Sequence, residues 1–271
     1  MKIAIPVSTS DKQYYINCAY TKYVALAGFA PIMVGLENDP MDIAELCDGL
    51  LLPGGGDLDP IFYNEDNICS YSVDPIKDDF ERSLYHAFLE KEKKVFGICR
   101  GMQLIFLEYM RLHPEHSMYL DYYQHQSDHS LANELKTARW VRTHSVRCKD
   151  IDLYGEGNKK VDNLYVNSMH HQVATALPGP KNITSYNHGL LKVIAHTRHG
   201  MGPKKKDPGF IIEALDIKLG GGVRGVQWHP EEMRDVKLIQ HFFSDKKKTD
   251  KTPNTKALEA EIADAEATGE E

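Results

Sequence analysis

The chain has 271 residues, 32 Lys+Arg against 39 Asp+Glu for a formal net charge of −7, and 42% hydrophobic residues, enough for one large domain or two small ones. That mild acidity argues against the broadly basic surface of a nucleic-acid binder. The longest nearly apolar run, Tyr23 to Leu36, is broken by Gly28 and Pro31 and falls short of the roughly 18 residues a membrane helix needs. No nucleic-acid or membrane partner is therefore expected. The N-terminal MKIAIPVSTSDK lacks the apolar core of a secretory signal, which predicts a cytoplasmic protein. Five cysteines, Cys18, Cys47, Cys69, Cys99 and Cys148, include no CxxC pair, so reduced thiols are expected rather than a disulfide framework or a thiolate zinc site.

In chain order, KIAIPV (2–7) reads as a buried strand, Tyr15 to Phe29 as a helix, PIMVGL (31–36) as a second strand and Met41 to Cys47 as a short helix. Asp48 to Pro53 is a third strand that runs into GGGDLDP. Asp74 to Lys91 is an amphipathic helix entered through an Asp-Pro pair suited to its N-cap and first turn. KKVFGIC (93–99) is a continuous apolar strand, and Arg100 to Arg111 has apolar residues at helical spacing. This alternation is the βαβ pattern of an α/β fold with a parallel sheet and helices on both faces. The second half is richer in strands: Trp140 to Val146, Asn163 to Asn167, Leu190 to His196, Phe210 to Asp216 and Val223 to Gln227. Between two of them, HGMGPKKKDPG (199–209) reads as a solvated hairpin connection, with a lid or a contact for an acidic partner as the sharper alternative. Residues 1–245 thus form one domain, and 246–271, with five Lys, seven acidic residues and no aromatic, a disordered charged tail.

Three stretches carry chemistry. In VFGICRGMQ (95–103) a buried strand ends at Cys99 and turns at once into a helix, with Gly97 and Gly101 leaving room for the tight turn. This is the layout of a nucleophile elbow, and the partial positive charge of the helix N-terminus favours a thiolate there; a small buried core cysteine is the plain alternative. GVQWHPE (225–231) ends a strand at His229, with Glu231 two residues on to orient the imidazole. LPGGGDLDP (52–60) follows another parallel strand, at the sheet end where such folds bind ligands. One of Gly55 or Gly56, together with the Arg100 amide, can form an oxyanion hole there, a plain tight turn or a phosphate loop being the alternatives. A Walker A loop is excluded because no Gly-Lys-Ser/Thr follows.

LLLPGGGDLDP, VFGICRGMQ, VNSMHHQ and GVQWHPEE, in that order, resemble the class I glutamine amidotransferase-like superfamily, and within it the gamma-glutamyl-gamma-aminobutyrate hydrolase branch of the gamma-glutamyl hydrolases. The resemblance covers about residues 2 to 243. It implies a flavodoxin-like, mostly parallel central sheet flanked by helices, with a smaller antiparallel β element in the second half. It also implies a Cys99, His229, Glu231 triad, an oxyanion hole near Gly55, Gly56 and Arg100, and hydrolysis of a small gamma-glutamyl compound through a thioester on Cys99, with no cofactor and no metal. Asn167, Ser168, His170, His171 and Gln172 suit a glutamyl head group, a capped turn before a short helix being the plain alternative; Asp57 and Gln103 are grouped with them as substrate-binding residues.

After GICRGMQ the family pattern of Asn-Val, Gly-Gly-Thr-Leu and Gln-Asp-Leu is replaced by LIFLEYMRLHPEHSMYLDYYQHQ, which leaves the leaving group undetermined. This segment holds His113, Glu115, His116, Asp121, His125, Asp128 and His129. It reads first as an exposed insertion and second as a metal site, since imidazole and carboxylate are zinc ligands. Two other functional readings stay open: a glutaminase subunit passing ammonia to a synthetase partner, and a non-catalytic binding module of the same fold. A homodimer is compatible with all three.

Overall fold

The computed structural model describes residues 1–10, 12–124, 137–148, 153–154, 162–177, 187–198 and 210–244. The tail from 246, the loop 199–209 and the end of the histidine-rich segment lie outside them.

Five parallel strands make one half of a single sheet, in the order β4 (Ala30–Val34), β1 (Lys2–Pro6), β5 (Gly49–Leu52), β6 (Lys94–Ile98) and β14 (Val223–Val226). Three of them, β5, β14 and all but the first residue of β6, are buried along their length, as expected of strands covered on both faces. The sheet continues antiparallel through β13 (Phe210–Ile217), β12 (Leu191–Arg198), β8 (His144–Cys148) and β9 (Asn163–Val166). The short strands β7 (Leu120–Tyr123), β10 (Val173–Ala176) and β11 (Asn187–His188) extend it off this path, and β2 (Ser8–Ser10) with β3 (Gln13–Tyr15) forms a separate hairpin. The antiparallel part is therefore continuous with the parallel one.

Helices α2 (Pro40–Leu46), α3 (Pro75–Glu90) and α4 (Arg100–Leu112) bury Ile43, Phe80, Leu84, Phe88, Met102 and Phe106 against one face. On the other face α1 (Cys18–Leu26), α5 (Pro230–Met233) and α6 (Val236–Ser244) pack with Ile3, Ile5, Leu51 and Trp228. Asp74 caps α3 as expected: its carboxylate accepts from the Lys77 amide at 3.2 Å and Pro75 takes the first helical position. No helix among the described residues is long and apolar enough to cross a membrane.

Three expectations shift. The helix read from Tyr15 begins at Cys18, because the Asn17 side chain accepts from the Ala19 amide at 2.9 Å and stops it there, while Gln13 to Tyr15 pair as a hairpin strand. The strand read over Trp140 to Val146 lies instead at His144–Cys148, with Trp140 in a turn. The segment after α4 is not an exposed insertion over its described part. Leu120 and Tyr122 are buried, and β7 joins the main sheet against β10.

Register positions the site. β6 lies between β5 and β14, with Gly97 paired to Leu52 on one side and to Gly225 on the other. The ends of all three strands therefore converge, carrying the glycine loop, Cys99 and the 227–231 segment.

Candidate active site

Cys99 leaves β6 at φ 52°, ψ −107° and caps α4, and its amide donates to the Val226 carbonyl of β14 at 2.8 Å. An L-residue rarely adopts such angles, and the turn holds because its neighbours are small. A β-carbon on Gly97 would lie 2.7 Å from the Gly101 backbone, and one on Gly101 would lie 2.3 Å from the Leu52 carbonyl oxygen.

His229 follows β14 as the cap of α5, and Pro230 starts that turn so that Glu231 folds back beneath the ring. The His229 Nδ1–H donates to Glu231 Oε1 at 2.7 Å, both side chains being buried, and the ring also shares a hydrogen bond with the Cys99 sulfur. Burial alone would lower the imidazole pKa. Glu231 and Cys99 outweigh it and raise it to about 10, so the ring is an imidazolium at neutral pH. Gln227, fully buried on the same strand end, points its Nε2 at the Cys99 sulfur from 3.5 Å. The structure thus brings Cys99, His229 and Glu231 together at one sheet end.

A β-carbon on Gly54 would meet His229 Cε1 at 3.0 Å and the Cys99 β-carbon at 3.5 Å, so the glycine loop borders the sulfur. The Gly54 amide is already engaged, donating to Tyr20 Oη at 2.9 Å. Burial first, then the charges of Glu231 and Cys99, hold the Tyr20 hydroxyl well above its ordinary pKa. Gly55 lines the cleft beside Cys99, whereas Gly56 packs against the backbone of Ser72. The Arg100 guanidinium turns away from the sulfur into a buried ionic group: it pairs with Asp78 and Glu81, and Lys77 Nζ reaches Glu81 at 2.7 Å. Asp78 Oδ2 in turn accepts from the Asp59 amide at 3.0 Å, tying the glycine loop to α3.

None of the seven residues expected to contact substrate is among those that line the cleft around Cys99; Asn167 and Gln103 bond His229 and Gln227 beside it. Asn167, fully buried, accepts from the His229 amide at 3.0 Å and donates to the His229 carbonyl at 3.2 Å and the Arg139 carbonyl at 2.7 Å. Gln103 donates to Gln227 Oε1 and to the Gln172 carbonyl, at 3.3 and 3.2 Å. Ser168 is buried, and His170 donates from Nδ1 to the Gln172 carbonyl at 2.9 Å; burial pushes the His170 pKa down to about 3. His171 bonds Asp57 Oδ2 at 2.8 Å and stacks on Tyr71. The helix read after this segment is absent, and β10 follows instead.

The walls of the cleft, about 400 Å³, come in large part from Tyr15, Asn17, Tyr20, Arg139 and Met169. Only Met169 lies within a recognised motif, and the others have no sequence signal because chain-distant segments bring them together. Tyr122, from the replaced segment, donates to Gln172 Oε1 at 2.6 Å. Among the described residues no group of three or more His, Cys, Asp or Glu could hold a metal ion; His125, Asp128 and His129 lie outside them.

Comparison with known proteins agrees with the resemblance carried by the motifs. The glutamine amidotransferase-like protein YvdE of Lactococcus lactis is 31% identical over 204 residues, 73% of each chain. The gamma-glutamyl-gamma-aminobutyrate hydrolase PuuD of Escherichia coli is 28% identical over 186 residues, 68% of this chain and 64% of that protein. The glutaminase domain of Trypanosoma brucei CTPS superposes with a TM-score of 0.55 at 13% identity, over 93% of this chain and 96% of that one, a likeness of class I glutamine amidotransferase fold. A model of the Peptidase C26 family matches residues 4–231, from the first parallel strand through Glu231, and on that span the chain belongs to the Peptidase C26 family.

Proposed function

We propose that the protein is a cysteine amidohydrolase acting on a small gamma-glutamyl amide. The observation that carries this reading is the buried Cys99, His229, Glu231 set at the converging ends of β6 and β14. A thiolate beside an imidazolium is a nucleophile paired with its own proton donor. The Cys99 sulfur attacks the amide carbonyl carbon, and the amides of Gly55 and Arg100 receive the negative charge that develops on oxygen. His229 gives its proton to the amine nitrogen as the C–N bond breaks, leaving a gamma-glutamyl thioester and a neutral imidazole. That neutral ring then takes a proton from water, hydroxide attacks the thioester, and glutamate leaves as the thiolate and imidazolium are restored. The base is available at the second step because acylation removes the Cys99 charge, one of the causes that hold His229 protonated. Glu231 holds the ring throughout. Family membership and the relative named for gamma-glutamyl-gamma-aminobutyrate hydrolysis support the choice of a gamma-glutamyl group.

The test is glutamate and amine release from a panel of gamma-glutamyl amines, gamma-glutamyl peptides and free glutamine. The wild type should hydrolyse the gamma-glutamyl amines, and Cys99→Ala should lose that activity with an unchanged circular dichroism spectrum. Retained turnover in Cys99→Ala would exclude the mechanism. Slow glutamine hydrolysis stimulated by an added synthetase, with gamma-glutamyl amines inert, would replace it with a glutaminase role.

A further inference from the structure

One cation in the Cys99 cleft has no part in the steps above. Arg139 lines that cleft, and no Asp or Glu does so among the described residues. Its side chain is about half exposed, and a surface pair with Glu232 would ordinarily be worth little. Two features mark it as more than a surface pair. The Arg139 carbonyl accepts from the same buried Asn167 side chain that brackets the His229 backbone, so the arginine backbone is fixed relative to the base. The guanidinium is also fixed, through Nε alone, by Glu232 Oε1 at 2.5 Å, and Glu232 accepts as well from Asn17 at 3.4 Å. Both terminal nitrogens are then left without a hydrogen-bond partner among the described residues. A guanidinium tethered at Nε with its fork open is the geometry that takes a carboxylate through two parallel hydrogen bonds.

We propose that Arg139 is the receptor for the alpha-carboxylate of the gamma-glutamyl group and determines that the acyl half of the substrate carries one. This rests on the gamma-glutamyl reading above and deepens it. Four carbon–carbon bonds separate the gamma-carbonyl carbon from the alpha-carboxyl carbon, and Cys99 and Arg139 line one cleft of about 400 Å³. The acyl half occupies the cleft through both chemical steps, whereas the amine departs after the first, so a fixed receptor in the same cleft serves the half that stays. Cys99 and His229 aside, Arg139 is the one charged side chain among the described residues that line the cleft. It selects for an anion.

The test uses the full chain as wild type, Arg139→Ala and Arg139→Lys on three amides. Gamma-glutamyl butylamide has a carboxylate only on the acyl half, gamma-glutamyl-4-aminobutyrate has one on each half, and 4-aminobutyryl butylamide has none. Arg139→Ala should raise KM roughly 10- to 100-fold on both gamma-glutamyl substrates, the loss expected for a charge-assisted pair, with little change in kcat. Arg139→Lys should recover part of it, and wild type and Arg139→Ala should be equal on 4-aminobutyryl butylamide. Labelling of Cys99 by neutral iodoacetamide should proceed at the same rate in all three, as it would not if the substitution disordered the site. A KM rise confined to gamma-glutamyl-4-aminobutyrate would move Arg139 to the leaving amine and overturn the proposal, as would an unchanged KM. If the wild type hydrolyses neither gamma-glutamyl compound, the gamma-glutamyl reading itself falls, and this assignment with it.

Discussion

Cys99 is held at positive φ by a hydrogen bond to β14 and by two glycines at which a β-carbon would clash with backbone. A non-glycine residue so placed stores on the order of 1–3 kcal/mol. Of two variants that both lack the sulfur, Cys99→Gly should therefore be more stable than Cys99→Ala by about 1 kcal/mol after glycine's own entropic cost; equal urea midpoints would deny the strain. The neighbouring His229 has a pKa raised to about 10 by Glu231 and Cys99 against the effect of burial. A raised pKa keeps the proton on the ring below that value, so the basic limb of kcat/KM should fall only as pH approaches 10. In Glu231→Gln the first of those supports is gone. The limb should then move down by more than one pH unit, and kcat should drop roughly tenfold or more as ring orientation is lost. A pH profile with its basic limb near 7 in the wild type would contradict this assignment of charge.

At the scale of elements, the site depends on how closely α4 can approach β5. Gly101 is the point of contact, 2.3 Å from the Leu52 carbonyl oxygen for a β-carbon that does not exist. Gly101→Ala should cost about 1–3 kcal/mol by overpacking, read as a lower urea midpoint. It should also displace the glycine loop that follows Leu52, so activity should fall even where the protein is fully folded. The parallel half of the sheet was legible because strands buried on both faces appear as unbroken apolar runs such as KIAIP, GLLL and KVFGI. The hairpin of β2 and β3 was not, since Tyr14 and Tyr15 are exposed, which makes the strand look like the lead-in to the helix after Asn17. Nor was β7, whose alternating burial in LDYY is set by pairing with β10, more than forty residues later.

At the scale of the molecule, the core holds buried ionisable groups besides the candidate triad, His170 among them. His170 is neutral there, its pKa pushed down to about 3 by burial. A histidine with a depressed folded-state pKa contributes stability that is present above its unfolded value near 6.5 and is lost as pH falls toward the folded value. Between pH 6.5 and 3 this group should therefore remove on the order of a few kcal/mol of stability. His170→Asn, which keeps a donor for the Gln172 carbonyl, should flatten the dependence of the urea midpoint on pH across that window. An unchanged slope would mean that other groups dominate acid unfolding.

The local features were legible in the order of residues. The small–Cys–small turn of Gly97, Cys99 and Gly101, the His229–Glu231 spacing and the triple glycine after Leu52 all express constraints between near neighbours, and a short stretch of sequence carries those in full. Their assembly was legible through the alternation of strands and helices, which points to a parallel sheet and so to strand ends that share one edge. Only the tertiary structure decided what walls the cleft. Tyr15, Asn17, Tyr20 and Arg139 come from segments more than a hundred residues apart and have no common periodicity, so nothing in their order could have joined them. It also decided what Asn167, Gln103 and His170 bond, because a buried amide or imidazole must satisfy its hydrogen bonds with whatever backbone the fold brings beside it.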